Sequence, residues 1–275
     1  MTVDSPTLSY PLGNTDAEFE RLIRQAARVG PYTERFFREA GIGPGQRVLD
    51  LGSAMGDVVM LVARLVGPSG EVVGVERNPR SIARARARVA EAGLRNVSFT
   101  QSDVSQIAAD KPFDAVVGRF ILMFLPNPVA VLRSLTQLVR PGGIVAFHET
   151  SWAPSLLLTA NLPLWSAAAS LARETLQRSG ANPEMGLTLY EVFQEAGLPA
   201  PVMRMEVLLA TEPDFTRWIY DLLCSLRPQI EQLGLSLDGL GDLDTLPERL
   251  QAEVAAANTF VALVALVGAF SRTPH

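Results

Sequence analysis

The sequence predicts an α/β fold, a mostly parallel sheet with helices on both faces. Two observations carry that prediction. Between residues 46 and 150, short apolar segments alternate with helical segments of about a dozen residues, the signature of βαβ repetition. The junctions are marked by small-residue turns or by Asn-Pro helix starts, at Asn78-Pro79 and Asn127-Pro128. The chain has 275 residues, 48% of them apolar and 19% charged, enough to bury one large core.

The elements follow in order. Residues 16–41 carry helical periodicity through Phe19, Leu22, Ile23, Ala26, Ala27, Phe36, Phe37 and Ala40. Gly30-Pro31 predicts a break into two helices, and Gly41 predicts the end of the second. Residues 46–51 read as the first strand, 56–66 as a helix stopped by Gly67-Pro68, and 71–76 as the second strand. The helix opened by Asn78-Pro79 ends near Gly93. Strands follow at 97–101 and 113–118. Asn127-Pro128 opens a helix expected to run through Val139, and Pro141-Gly142-Gly143 turns into a fifth strand ending at His148-Glu149. After residue 150 the alternation changes. Residues 155–180 read as one long apolar helical segment and 188–196 as a short helix. Residues 203–210 read as a strand, 213–227 and 246–257 as helices, and 259–270 as a last strand. The expected organisation is one domain over 1–275. It has N-terminal helices (1–45), a ligand-binding core (46–150), a cover (151–200) and closing strands with a helical insertion (201–275).

Bulk properties exclude several functions. The net charge is −5, the pI near 5.2, and no long basic run appears, so nucleic acid and anionic membrane are not expected partners. Arg80, Arg84, Arg86 and Arg88 spread around a helix and read as a solvated face. A single cysteine, Cys224, permits no intramolecular disulfide and suits a reducing cytoplasm. The first residues lack a basic and apolar leader pattern, and the apolar stretch near 259–270 is too short to span a bilayer. Cytoplasmic location is expected, and a homodimer is compatible with the sequence. With only His148 and His275, no multi-histidine metal site is expected.

The segment VLDLGSAMGD, 48–57, is the most informative. A strand ending in Asp50 enters a turn of Gly52, Ser53, Ala54 and Gly56, then a helix, which is where backbone can touch a nucleotide-like ligand. A dinucleotide fingerprint needs small residues at offsets zero, two and five, and here the last is Asp57, whose charge opposes a pyrophosphate. No Lys-Ser or Lys-Thr follows, so a phosphate-binding loop fails as well. Glu76 closes the second strand 24 positions after Gly52, where an acid suits the ribose hydroxyls. The ligand expected is a nucleoside without pyrophosphate.

These residues resemble the class I S-adenosylmethionine-dependent methyltransferases, in particular the small-molecule branch. Asp50 to Gly56 is similar to the family's first motif, with Ala54 replacing the usual middle glycine. Glu76 matches the ribose acid. SDV, 102–104, resembles the segment that meets the adenine, which implies that Asp103 accepts from its amino group and that the Val104 backbone meets the ring edge. FDAVVGRFILMFLPNP, 113–128, and LVRPGGIVAFHE, 138–149, match the fourth- and fifth-strand motifs. The resemblance covers roughly residues 30–150 strongly and the rest weakly. It implies a Rossmann-like, doubly wound, seven-stranded sheet with the last strand antiparallel. Residues 203–210 and 259–270 would form the closing pair, and 150–200 a helical substrate cover. It implies S-adenosylmethionine as cofactor, S-adenosylhomocysteine as product, and the Gly118–Arg119 backbone facing the methionine part.

Methyl transfer from a sulfonium needs alignment and exclusion of water, and a base only where the acceptor must lose a proton. His148 and Glu149 end the fifth strand at the ligand-binding edge and are the candidate bases, pointing to opposite faces. Arg119 is a candidate for the cofactor carboxylate or an acidic substrate, Arg77 for the adenine, and Asp57 for a helix cap. Trp152, Trp165, Trp218, Phe193 and Tyr190 suggest an apolar acceptor, and Tyr10 and Tyr32 are candidates to close over the site. The expected activity is methylation of a small, largely apolar molecule, with oxygen slightly preferred as acceptor. The rival readings are a non-methylating reaction such as cyclisation on the same scaffold, and a non-catalytic S-adenosylmethionine-binding protein.

Overall fold

The computed structural model describes residues 11–274 apart from 14 and 105, so Tyr10 and the expectations for 1–10 lie outside the described residues. A long helix, α1 (Asp16–Ala40), precedes β1 (Arg47–Leu51), α2 (Asp57–Val66), β2 (Glu71–Glu76), α3 (Pro79–Glu91), β3 (Val97–Gln101) and β4 (Phe113–Arg119). Then come α4 (Pro128–Thr136), β5 (Val139–Ser151), α5 (Ala153–Leu158), α6 (Pro163–Arg178) and α7 (Met185–Glu195). The chain continues through β6 (Val202–Glu206), β7 (Leu209–Ala210), α8 (Pro213–Gln232), α9 (Leu246–Ala256), β8 (Val261–Ala262) and β9 (Ala265–Arg272). Seven strands form one sheet in the order β3-β2-β1-β4-β5-β9-β6. The pairs from β3 to β5 are parallel, while β9 runs antiparallel to both β5 and β6. The order reverses at β1, between β2 and β4, and ligands bind outside the carboxyl ends of strands at such a switch.

Successive residues of the central strands feed opposite faces. Val48, Ala115 and Ile144 pack with Phe36, Phe37, Val59 and Val62 on one side. Leu49, Val116 and Val145 pack with Leu132, Leu135, Leu189 and Phe193 on the other. Leu49, Val116 and Val145 have no accessible surface, so the sheet is covered on both faces as expected from its near-continuous apolar strands.

Several expectations are corrected. Gly30-Pro31 does not split α1. Pro31 is exposed, and Ala27, whose carbonyl loses its helical donor, is exposed too, while Val29, Phe36 and Phe37 bury the opposite stripe. Pro228 likewise lies inside α8 with Cys224 exposed one turn earlier, so that helix passes residue 227 and ends at Gln232. Helix α4 stops at Thr136, because Val139 is drawn into the sheet opposite Phe113. Residues 155–180 are two helices, because Leu162, preceding Pro163, leaves the helical region (φ −115°, ψ 86°). Residues 203–210 and 259–270 each divide: β6 and β9 complete the large sheet, while β7 and β8 pair with each other. The expected cover also divides. Helix α7 packs on β5 and β9, whereas α6 packs on α8, which in turn meets α9 and α1.

Candidate functional site

At the carboxyl ends of β1, β2 and β4, a cavity of about 270 Å³ opens beneath α1, α6 and α8. Its first wall is the turn after β1. Ser53 N donates to the Val75 carbonyl at 2.9 Å and Gly56 N to the Ser53 carbonyl at 2.7 Å, which folds the turn against β2. Gly52 (φ +67°) and Gly56 (φ +80°) use the left-handed region that glycine tolerates. A Cβ on Gly52 would lie 2.6 Å from Ile121 Cδ1. Ala54 also adopts a left-handed φ, +41°, so the missing middle glycine is accommodated by strain. Gly56 caps α2, and Asp57, its first residue, pairs with Arg88 at 2.7 Å instead of capping.

Glu76 reaches this turn from the end of β2. Its Oε2 accepts from Ala54 N at 3.1 Å and its Oε1 from Asn78 N at 2.8 Å. Asn78 then caps α3 by accepting from Arg80 N at 2.9 Å. Asp103 and Val104, after β3, lie on the same wall.

The floor is built from the ends of β4 and β5. Glu149 Oε1 accepts from Ile121 N at 3.0 Å and Leu122 N at 2.9 Å, holding the turn that follows β4. Burial pushes the Glu149 carboxyl up to about 7 even against those bonds. Phe120 stands at φ +54° between these two elements. Arg119 lines the cavity and donates to Thr33 Oγ1 at 3.2 Å. Burial lowers its pKa, opposed by the charges of Asp57 and Asp50. Burial raises that of Asp50, and Arg119 opposes it.

His148 is 3% exposed and faces α1. Its Nδ1 lies 3.2 Å from Thr33 Oγ1 and its ring 5.1 Å from Phe36. The Thr33 hydroxyl donates its one proton to the Val29 carbonyl at 3.1 Å, so Nδ1 carries a hydrogen and donates to Thr33. Burial, reinforced by the Arg119 charge, pushes His148 down to about 3. Gly268, beside His148 on β9, leaves the space that Phe36 fills; a Cβ there would come within 2.4 Å of that ring.

The far wall is apolar. Trp152 and Trp218 line it with ring centroids 5.7 Å apart. Glu184 fixes Trp152 by accepting from its amide at 3.1 Å, from Ser151 Oγ at 2.5 Å and from Arg173 Nε at 2.8 Å. Burial would raise the Glu184 pKa, but the Ser151 and Arg173 bonds hold it below the ordinary carboxylate range.

Of the residues singled out in the sequence, Gly52, Ser53, Ala54, Glu76, Arg77, Asp103, Val104 and Arg119 line this one cavity. Asp50, Gly56, Gly118, His148 and Glu149 stand behind the lining. Asp50 is buried beneath the turn, Gly56 faces Ala85, and Gly118 gives room to Phe147 and Ile121. Among the aromatic candidates, Trp165 and Phe193 are core, Tyr190 is exposed, and Tyr32 lies beneath Arg35. Thr33, Gln25 and Leu222 were not anticipated. Their only sequence signal is a place on an apolar helical stripe.

The methyltransferase domain family model matches residues 42–197, more than half of the chain. An arsenite methyltransferase of Halobacterium salinarum is 35% identical over 111 residues, covering 40% of this chain and 28% of that protein. The ubiquinone/menaquinone biosynthesis C-methyltransferase UbiE of Pseudomonas paraeruginosa is 35% identical over 122 residues, covering 44% and 48%. The chain thus spans about half, or less, of the length of these relatives. The YcgJ protein of Bacillus subtilis shares the fold with a TM-score of 0.57 at 16% identity, over 86% of this chain and 96% of that one. By sequence motif, strand order and family match, the chain belongs to the class I methyltransferase family.

Proposed function

We propose that this chain binds S-adenosylmethionine and transfers its methyl group to a small, largely apolar molecule. The observation that carries this reading is the continuity of the cavity: one space joins the acid-bearing turn to the tryptophan wall. A cofactor and an acceptor held in it would share a water-poor volume, which is what a displacement at carbon requires.

The residues fit the cofactor. Asp50 Oδ2 and Ser53 Oγ are buried and, among the described residues, have no hydrogen-bond partner, so polar capacity is left at the turn. Glu76 would take the ribose, Asp103 and Val104 the adenine, with Arg77 beside it. The Gly52–Ala54 backbone would follow the nucleoside, and Arg119 the methionine end; Gly118, behind the lining, would only make room for that wall. When bound, S-adenosylmethionine supplies a methyl group already activated by its sulfonium. Arg119 would orient the cofactor carboxylate, with Thr33 fixing the guanidinium.

His148 and Glu149 act behind the wall. His148 donates to Thr33 and thereby positions Arg119, and Glu149 holds the Phe120–Leu122 turn. Among the described lining residues the carboxylates are Asp57, Glu76 and Asp103, all on the nucleoside side. We therefore favour an acceptor whose nucleophile needs no base from the chain, rather than the oxygen acceptor expected from His148 or Glu149.

Thermal shifts with S-adenosylmethionine, S-adenosylhomocysteine and NAD test the reading, because a ligand of the native state raises the midpoint. The first two should raise it and NAD should not. A shift with NAD alone would overturn the assignment.

A further inference from the structure

We propose that Gln25, held by the buried Glu18–Arg21 pair, is the donor that selects an uncharged, carbonyl-bearing apolar acceptor molecule. The inference rests on the methyltransferase reading and names its substrate class.

Glu18, Arg21, Gln25 and Val29 follow one another at three- and four-residue steps along α1, so they share a face. Arg21, Gln25 and Val29 line the cavity. Glu18 and Arg21 are 1% and 4% exposed, and the guanidinium meets the carboxylate through Nε and Nη2, both at 2.7 Å. Arg21 Nη1 donates to Gln25 Oε1 at 2.8 Å. A guanidinium only donates, so the amide oxygen must face Arg21, and the amide that Gln25 can present elsewhere is its Nε2 donor. The stripe continues to Thr33, the partner of Arg119, two turns or about 12 Å further along the helix.

A buried ion pair is costly to desolvate, and neither partner is required to hold a surface helix. Its effect here is to fix a side-chain amide on the cavity wall between Arg21 and Val29. The pair also sets the charge of the ligand. Glu18 already neutralises Arg21, so a carboxylate arriving at Gln25 would be buried without compensation. A hydrocarbon would leave the Gln25 donor unpaired, whereas a carbonyl oxygen satisfies it.

The test uses the full chain with S-adenosylhomocysteine present and three matched probes: 2-acetylnaphthalene, 2-ethylnaphthalene and 2-naphthoate, each titrated by equilibrium dialysis. The ketone should bind about tenfold more tightly than the hydrocarbon, the worth of one hydrogen bond, and the carboxylate should bind no better than the hydrocarbon. Gln25→Leu and Gln25→Met, which carry no donor at any pH, should both erase the ketone preference. A ketone preference that survives in either variant overturns the proposal. So does equal binding of ketone and hydrocarbon, tightest binding of naphthoate, or binding of none of the three. Titrating S-adenosylhomocysteine and the probes separately keeps a failure of the cofactor reading distinct from a failure of Gln25.

Discussion

Thr33 and His148, 115 positions apart in sequence, meet through one hydroxyl: Thr33 Oγ1 stands 3.2 Å from His148 Nδ1 while also accepting from Arg119. The imidazole is therefore a neutral donor in the folded chain, with its pKa pushed down to about 3. In the unfolded chain it titrates near its ordinary value of 6.5. Between those values the unfolded state binds the extra proton, so this group makes stability fall as pH falls from 6.5 toward 3. His148→Asn, whose amide nitrogen can replace the Nδ1 donor, should remove that dependence. Urea melts at pH 7 and pH 4.5 should show the variant gaining roughly 2–3 kcal/mol on wild type over that interval. Methyl-transfer activity should stay within about tenfold of wild type, because a lost general base would cost 10²–10⁴-fold. A loss of that larger size would restore His148 as the base.

Glu149 has the opposite sign. Its folded pKa is raised to about 7 from an ordinary 4.5, so its contribution is present below 4.5 and is lost as pH rises toward 7. Between pH 4.5 and 6.5 the two residues therefore oppose each other, and wild-type stability should be flatter than that of either single variant. Glu149→Gln should gain on wild type by roughly 3 kcal/mol between pH 4.5 and 7, on top of a constant loss from weaker acceptance of the Ile121 and Leu122 amides. Parallel urea melts of the two variants against pH would settle the signs. A pH-independent difference from wild type in either variant would mean that its group titrates near its ordinary value in the folded chain.

Ala54 offers a stabilising change. Its φ of +41° places an alanine where a left-handed backbone costs about 1–2 kcal/mol, while glycine adds unfolded-state entropy worth about 0.4–1 kcal/mol. Ala54→Gly should therefore raise stability by about 0–1.6 kcal/mol, read as a higher urea midpoint at unchanged m-value. It should leave S-adenosylhomocysteine affinity unchanged or improved. A destabilised variant would show that the Ala54 methyl packs favourably enough to outweigh its strained backbone.

The part of the cavity proposed for the nucleoside was legible as a cluster because its residues are placed by local structure. Gly52, Ser53 and Ala54 lie in one turn, and Glu76 and Asp103 end the next two strands, so strand order alone brings them together. The tryptophan wall was not. Trp152 and Trp218 meet only because α8 folds back over α6, and nothing in either segment records that crossing. The same holds for the two internal prolines. Pro31 and Pro228 look like helix stops, and only burial of the opposite stripe shows why each helix continues. His148 was legible as an edge residue, but its partner on α1 is set by Gly268, which admits Phe36 beneath the sheet.

Glu76 joins the turn after β1 to the start of α3, and the ribose role proposed for it is testable through that arrangement. Both of its oxygens already accept backbone amides, from Ala54 at 3.1 Å and from Asn78 at 2.8 Å. Each oxygen has a second lone pair for a ribose hydroxyl. Glu76→Gln keeps the size but must turn an N–H₂ group toward one of the two amides, setting donor against donor. The turn should loosen by about 1–3 kcal/mol, and S-adenosylhomocysteine affinity should fall by more than tenfold. Glu76→Ala should lose comparable affinity while folding, since water can enter to the freed amides at this half-buried edge. Calorimetric titration of both variants beside their urea melts checks the pair. Wild-type affinity in both variants would remove Glu76 from the ribose.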